Sequence, residues 1–184
     1  MRDRQKYLLL RYSDVERKCI DLHQAIIQQV GYCWFGKIGS VPSSKMLSEV
    51  FVEQSPVLVL YRKNASYICE LEKYTLQTPN KGVPEYYNSK GINPSIYFCL
   101  RSIKQCDNSL FHTSIVMSTG AYVEDVIYRS RIPFMLCQYI DESKMPPLAE
   151  DDCRYQKDGF CTCRSCVNYD CLCERPKQCT KQRR

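Results

Sequence analysis

Hydrophobic and polar positions are most informative across Val57–Tyr74, VLVLYRKNASYICELEKY. From Val57 to Arg62 almost every side chain is β-branched, aromatic or leucine, which suits a strand buried on both faces. Lys63-Asn64-Ala65 follows as a turn, because asparagine tolerates the left-handed conformation of a tight hairpin. The return arm alternates, with Tyr67, Cys69 and Leu71 on one face and Ile68, Glu70 and Glu72 on the other. One fully buried arm joined to one half-buried arm predicts a hairpin in the wall of a small sheet or barrel, over which the other elements close.

Upstream, Lys6–Tyr12 predicts a first strand. Ser13 and Glu16 have the spacing of a capping box. Val15, Cys19, Leu22, Ile26 and Val30, widened by Ile20 and Ile27, then give an amphipathic helix ending at Gly31. Tyr32–Phe35 is a short strand running into Gly36-Lys37-Ile38-Gly39, either a turn loop or a loop that lets backbone approach a ligand. No Gly-Lys-Ser/Thr follows, so it is not a phosphate-binding loop. Ser43–Glu53 predicts a second helix with Met46, Leu47, Val50 and Phe51 on one face.

Beyond the hairpin, Gln77–Pro94 carries three prolines and an exposed-looking Tyr86-Tyr87 pair. It is too long for a plain turn and reads as a functional or ligand-flanking loop. Ser95–Ile103 and Phe111–Val116 predict strands, and Ala121–Tyr128 a short helix burying Val123, Val126 and Ile127. Ile132–Ile140 closes the core, with Pro133 marking an edge or a strand start. Five or six strands with helices inserted between them predict an α+β domain, a small partly closed mixed β-barrel with two to three helices, over residues 1–140. An acidic linker, 141–152, and a basic cysteine-rich tail, 153–184, complete the chain.

Composition changes this picture only at its end. The 184 residues suffice for one ordinary core plus an appendage. No segment reaches the roughly 18 apolar residues of a membrane span, and Met1–Arg17 has no secretory hydrophobic stretch. The expectation is a cytoplasmic protein without a membrane partner. The net charge of +6 is concentrated in the tail, where eight Lys/Arg stand against three Asp/Glu. A basic tail serves solubility or binding; one that is also cysteine-rich points to nucleic acid or a ribonucleoprotein as partner.

Seven of the thirteen cysteines fall between Cys153 and Cys179. Without an export signal, such clustering points to metal rather than disulfides. Zinc takes four thiolates in a tetrahedron, and Cys163-x2-Cys166 is a standard first pair. Cys171 or Cys173, with Cys179, completes a site; Cys161, Cys166, Cys173 and Cys179 form an alternative set, and two ions sharing thiolates a third. An iron–sulfur cluster or disulfides are the competing chemistries. The tail has no histidine, so on its own it cannot form a finger with two cysteine and two histidine ligands. Its few large apolar residues cannot bury a core, so a zinc knuckle would hold its shape. Arg154, Lys157, Arg164, Arg175 and Lys177 then meet phosphate, or the knuckle is a structural clasp.

The case for catalysis is thin. His23 lies beside the apolar stripe of the first helix and His112 begins a possible strand. A small Cys/His hydrolase needs one of them beside one of six body cysteines, and no local cysteine-hydrolase signature is present. Glu70 and Glu72 share a strand face, as catalytic carboxylates or as a wet hairpin surface.

Several segments carry a family resemblance: Tyr32-Cys-Trp-Phe-Gly36, the serine-initiated helix from Ser43, the hairpin, Pro84-Glu-Tyr-Tyr87 before IYFCLRSI, and Arg131-Ile-Pro-Phe134 before the closing strand. In order and spacing they resemble the PUA/EVE-like small mixed barrels that bind RNA or a flipped, modified base. The resemblance implies a base held over the barrel mouth by an aromatic cage, with Trp34, Ser43, Tyr61, Tyr86 and Tyr87 as candidates. The whole chain also resembles the small anti-CRISPR inhibitors that mobile elements (phages among them) encode against type II RNA-guided nucleases. That likeness implies non-catalytic inhibition, by occluding a CRISPR nuclease or its DNA.

Overall fold

The computed structural model describes residues 1–13, 18–62, 65–89, 91–141, 156–157 and 160–161. The chain divides into two units, Met1–Ser143 and Lys144–Arg184. In order, the first contains β1 (Lys6–Arg11), α1 (Cys19–Val30), β2 (Cys33–Lys37), α2 (Ser44–Phe51), β3 (Val57–Arg62), β4 (Ala65–Thr75), α3 (Tyr86–Ser89), β5 (Ile96–Cys106), α4 (Ser109–His112), β6 (Ser114–Val116), α5 (Val123–Ile127) and β7 (Phe134–Tyr139). In the second, β8 (Gln156–Lys157) pairs antiparallel with β9 (Phe160–Cys161).

The β3–β4 hairpin lies mid-sheet in a seven-stranded array ordered β2-β5-β4-β3-β1-β7-β6. Among the described strands only β1 and β3 run parallel; the chain leaves β1, builds α1, β2 and α2, and returns beside it. Alternation then sorts the core. Leu8, Leu10, Leu58, Leu60, Cys69 and Leu71 face α1 and α2, while Tyr7, Leu9, Val59 and Tyr61 face α4 and α5. Leu58, Val59 and Leu60 are fully buried, so β3 is covered on both faces as its unbroken apolar run requires. The fold is α+β, with helices layered on both faces of a mixed sheet.

That layering corrects the barrel expected above. The sheet is open: β2 and β6 end it, and no ladder joins them among the described residues. Helices on each side bury the central strands, so closure is not needed to cover them. Each edge is finished locally. β6 is three residues long and bridges to Tyr122 through Ile115. On β2, the Trp34 amide donates to the Gly82 carbonyl at 2.8 Å and the Gly36 amide to the Tyr87 hydroxyl at 2.8 Å.

Several local expectations shift. The first helix begins at Cys19 after Lys18, not at Ser13, and Glu16 lies outside the described residues. Its buried face is Cys19, Ile20 and His23, with Ile27 packed beside them. Leu22 and Val30, counted in the apolar stripe, are 40% and 54% exposed. The helix is rotated because His23 takes a core position that a polarity count assigns to the surface. Phe111–Val116 is not one strand but the end of α4, with His112 as its last residue, followed by β6. The Tyr86-Tyr87 pair is not exposed: Tyr87 is buried and Tyr86 half-buried.

Candidate functional site

Where the end of β1, the start of α1 and the end of β2 converge under α3, the sheet leaves a half-open cleft of about 140 Å³. Leu10, Tyr12, Cys19, Phe35, Lys37, Tyr86, Tyr87 and Ile92 line it, with Gly36 in the wall. Gly36 makes the wall possible. A Cβ there would lie 2.4 Å from Cγ of Pro94 and 3.1 Å from Cζ of Tyr87, so only a glycine lets Tyr87 and Pro94 lie this close to β2. The Tyr87 hydroxyl accepts from the Gly36 amide and also donates to the Gly36 carbonyl at 3.3 Å, pinning α3 to the sheet edge.

The aromatic wall is layered. Tyr86 and Tyr87 pack with ring centroids 4.4 Å apart. Behind them sits His23, fully buried, 5.1 Å from the Phe35 ring and 6.2 Å from each tyrosine. The Tyr86 hydroxyl is 3.3 Å from the Cys19 sulfur. Burial pushes both tyrosine hydroxyls well above their usual range, so they stay protonated.

His23 Nδ1 is 2.7 Å from the Cys19 carbonyl, which only accepts, so Nδ1 carries the proton. Its Nε2 lone pair has no partner in hydrogen-bond geometry. Burial lowers the imidazole pKa to about 4; the bond to the Cys19 carbonyl and the nearness of the Trp34 carbonyl, both of which favour the charged ring, offset only part of that. The Cys19 sulfur is 3.8 Å from Nδ1, but that nitrogen is spent on the carbonyl and is not a base for the thiol in this arrangement. The other body thiols, all among the described residues, are no readier. Burial raises Cys99 and Cys106 to about 11, aided by the Glu72 and Asp107 carboxylates, Cys137 to about 12, and Cys33 and Cys69 further.

Lys37 is the charged side chain in the cleft. It closes β2 two residues after Phe35, so the two share a face. It is 9% exposed, and its ammonium donates to the neighbouring Ile38 carbonyl. No carboxylate pairs with it among the described residues, and burial lowers its pKa. Arg11 also borders the cleft, but its guanidinium is held by the Ile127 and Ser130 carbonyls, each at 2.7 Å.

Of the five cage candidates, the structure brings together only Tyr86 and Tyr87. Trp34 alternates with Phe35 and packs on the opposite face with Tyr97 and Cys99, the Lys73 ammonium 5.9 Å from its ring. Tyr61, also on that face, is on β3, separated from β2 by β5 and β4, and edges against Phe111 at 5.5 Å. Ser43 caps α2, its hydroxyl accepting from the Met46 amide at 3.3 Å. Strand alternation forbids a single cage from these residues. Glu72 is held by Arg101 at 2.6 Å and His112 pairs with Glu124, so neither stands free as a catalytic group.

Lys157 lies in β8 and Cys161 in β9. Arg154, Arg164, Arg175, Lys177, Cys163, Cys166, Cys171, Cys173 and Cys179 lie outside the described residues. Among the described residues, no three His, Cys, Asp or Glu side chains are grouped to hold a metal, and no helix is long and apolar enough to cross a membrane. Sequence reasoning missed Lys37, Phe35, Tyr12 and Cys19 as partners of the tyrosine pair. Period-two spacing of Phe35 and Lys37 was the available signal; the approach of α3 was not. Compared with known protein families, curated proteins and solved structures, the chain matches none.

Proposed function

We propose that the chain is a non-catalytic nucleic-acid- or ribonucleoprotein-binding protein whose body seats one unstacked base in the cleft beneath Tyr86. The observation that carries this reading is the cleft itself: a half-open slot of ring-like size, walled by Tyr12, Phe35, Tyr86 and Tyr87, with Lys37 in its lining. Single-stranded nucleic acid is held by aromatic faces beside cations, and flipped bases by stacking plus edge hydrogen bonds. Two further cation–ring pairs, Arg101 over Tyr32 at 5.7 Å and Lys73 over Trp34, lie on the opposite face, where both cations share the Glu72 carboxylate.

The test is fluorescence anisotropy of a labelled single-stranded oligonucleotide with the full chain. Stacking on one ring is worth about 1–3 kcal/mol, so Tyr86→Ala should weaken binding by about 5- to 150-fold. Absence of binding at low salt, or equal affinity for Tyr86→Ala, would overturn the reading.

The tail extends this reading. Four thiolates among Cys161, Cys163, Cys166, Cys171, Cys173 and Cys179 suit zinc, with the flanking cations available to phosphate. Elemental analysis of the reduced chain should find bound zinc, and the four-fold Cys→Ser chain none. The narrower proposal, inhibition of a type II CRISPR nuclease, rests on the whole-chain resemblance. It predicts stoichiometric loss of target-DNA cleavage when the chain is added before the DNA; undiminished cleavage removes it.

A further inference from the structure

We propose that the cleft selects pyrimidines over purines, Lys37 donating to the carbonyl edge of the ring; this rests on reading the cleft as a base site. Two independent features of the cleft point this way, its size and its supply of polar groups.

Size comes first. At about 140 Å³ the cleft is close to the roughly 150 Å³ that admits a benzene-sized ring. A single six-membered ring fits under Tyr86, whereas a fused purine needs the Tyr87–Gly36 contact to open. That contact is tied by two hydrogen bonds and backed by Pro94.

The polar inventory then favours acceptors on the ligand. The Tyr87 hydroxyl is engaged with Gly36 in both directions, and the Tyr86 hydroxyl faces the Cys19 sulfur. Lys37 is different. An ammonium has three N–H groups, and here one goes to the Ile38 carbonyl. The others have no carboxylate partner among the described residues, on a lysine that is 9% exposed as a whole. Cytosine and thymine or uracil each carry a ring carbonyl that accepts such a bond while the ring face lies on tyrosine. A carbonyl arriving there replaces water lost to burial, the same burial that lowers the Lys37 pKa.

The experiment compares oligo-dT with oligo-dA of equal length on the full chain at raised salt, where sequence-independent phosphate contacts fade. Wild type should prefer oligo-dT by about tenfold, from one charged hydrogen bond plus the size limit. Lys37→Met, close in shape but without donors, should lose most of that preference, and Lys37→Arg should restore part of it. Equal affinity for the two oligonucleotides, or a preference untouched in Lys37→Met, overturns the pyrimidine inference while leaving base binding standing. Failure of either oligonucleotide to bind overturns both. Because oligo-dA stacks on itself, free thymidine and adenosine are titrated as well, following the Lys37 side-chain resonances of the wild-type chain. Thymidine alone should shift them, and that arm holds even where Lys37→Met does not fold.

Discussion

His23 makes the fold sensitive to acid in a way that can be calculated. The ring is fully buried, and its folded pKa is about 4 against an ordinary 6.5. As pH falls through 6.5 the unfolded chain takes up a proton that the folded chain refuses. Stability is therefore intact above that value, declines towards pH 4 and levels off below it. A shift of that size corresponds to about 3 kcal/mol, a large part of a typical domain's stability. The perturbation is His23→Gln, which keeps a donor for the Cys19 carbonyl but does not titrate. The assay is urea unfolding at steps from pH 7.5 to 4, scored as the difference between the two proteins. Carboxylates such as Glu49 and Asp107, held low by Lys6 and by Ser109, titrate alike in both and cancel. Wild type should lose about 3 kcal/mol relative to His23→Gln across that range. Parallel lines would refute the burial argument.

Three other expectations follow from the packing. Gly36→Ala should destabilise by about 1–3 kcal/mol, by thermal or urea unfolding, because its Cβ meets Pro94 at 2.4 Å; a neutral result would mean that Pro94 does not rest on β2. Leu60→Ala should cost about 2–5 kcal/mol and Leu22→Ala within about 0.5 kcal/mol, since Leu60 is fully buried and Leu22 is 40% exposed; comparable losses would restore the helix face expected from sequence. At neutral pH, iodoacetamide should modify Cys106, the least buried body cysteine, before Cys33, Cys69 or Cys137. Peptide mass spectrometry finding the reverse order would contradict the burial of those thiols.

Much of the architecture was readable because periodicity reports burial directly. The VLVLYR run specified a strand covered on both sides, and YICELE specified its half-exposed partner, as found. Gly31 terminated α1 with a φ of 82°, and Ser43 opened α2 with its hydroxyl. What periodicity does not report is which elements meet. An open layered sheet and a closing barrel demand the same alternation, so the strand order decides between them. His23 was misplaced because a polar residue type was scored as surface, although a neutral imidazole with one bonded nitrogen packs in the core. The cleft was half legible. Tyr86 and Tyr87 stood out in a long loop, whereas Trp34 and Tyr61 joined them only by their positions in the family resemblance. Alternation had already turned Trp34 away from Phe35, and that much was open to inference from Tyr32-Cys-Trp-Phe alone.

The central claim is that a base enters the cleft under Tyr86, and photocrosslinking of the full chain to a 4-thiouridine oligonucleotide addresses it most directly. Mass spectrometry of the digest should place the adduct on Tyr86, Tyr87 or the peptide bearing Lys37. Adducts confined to the 153–184 tail, or none at all, would contradict it.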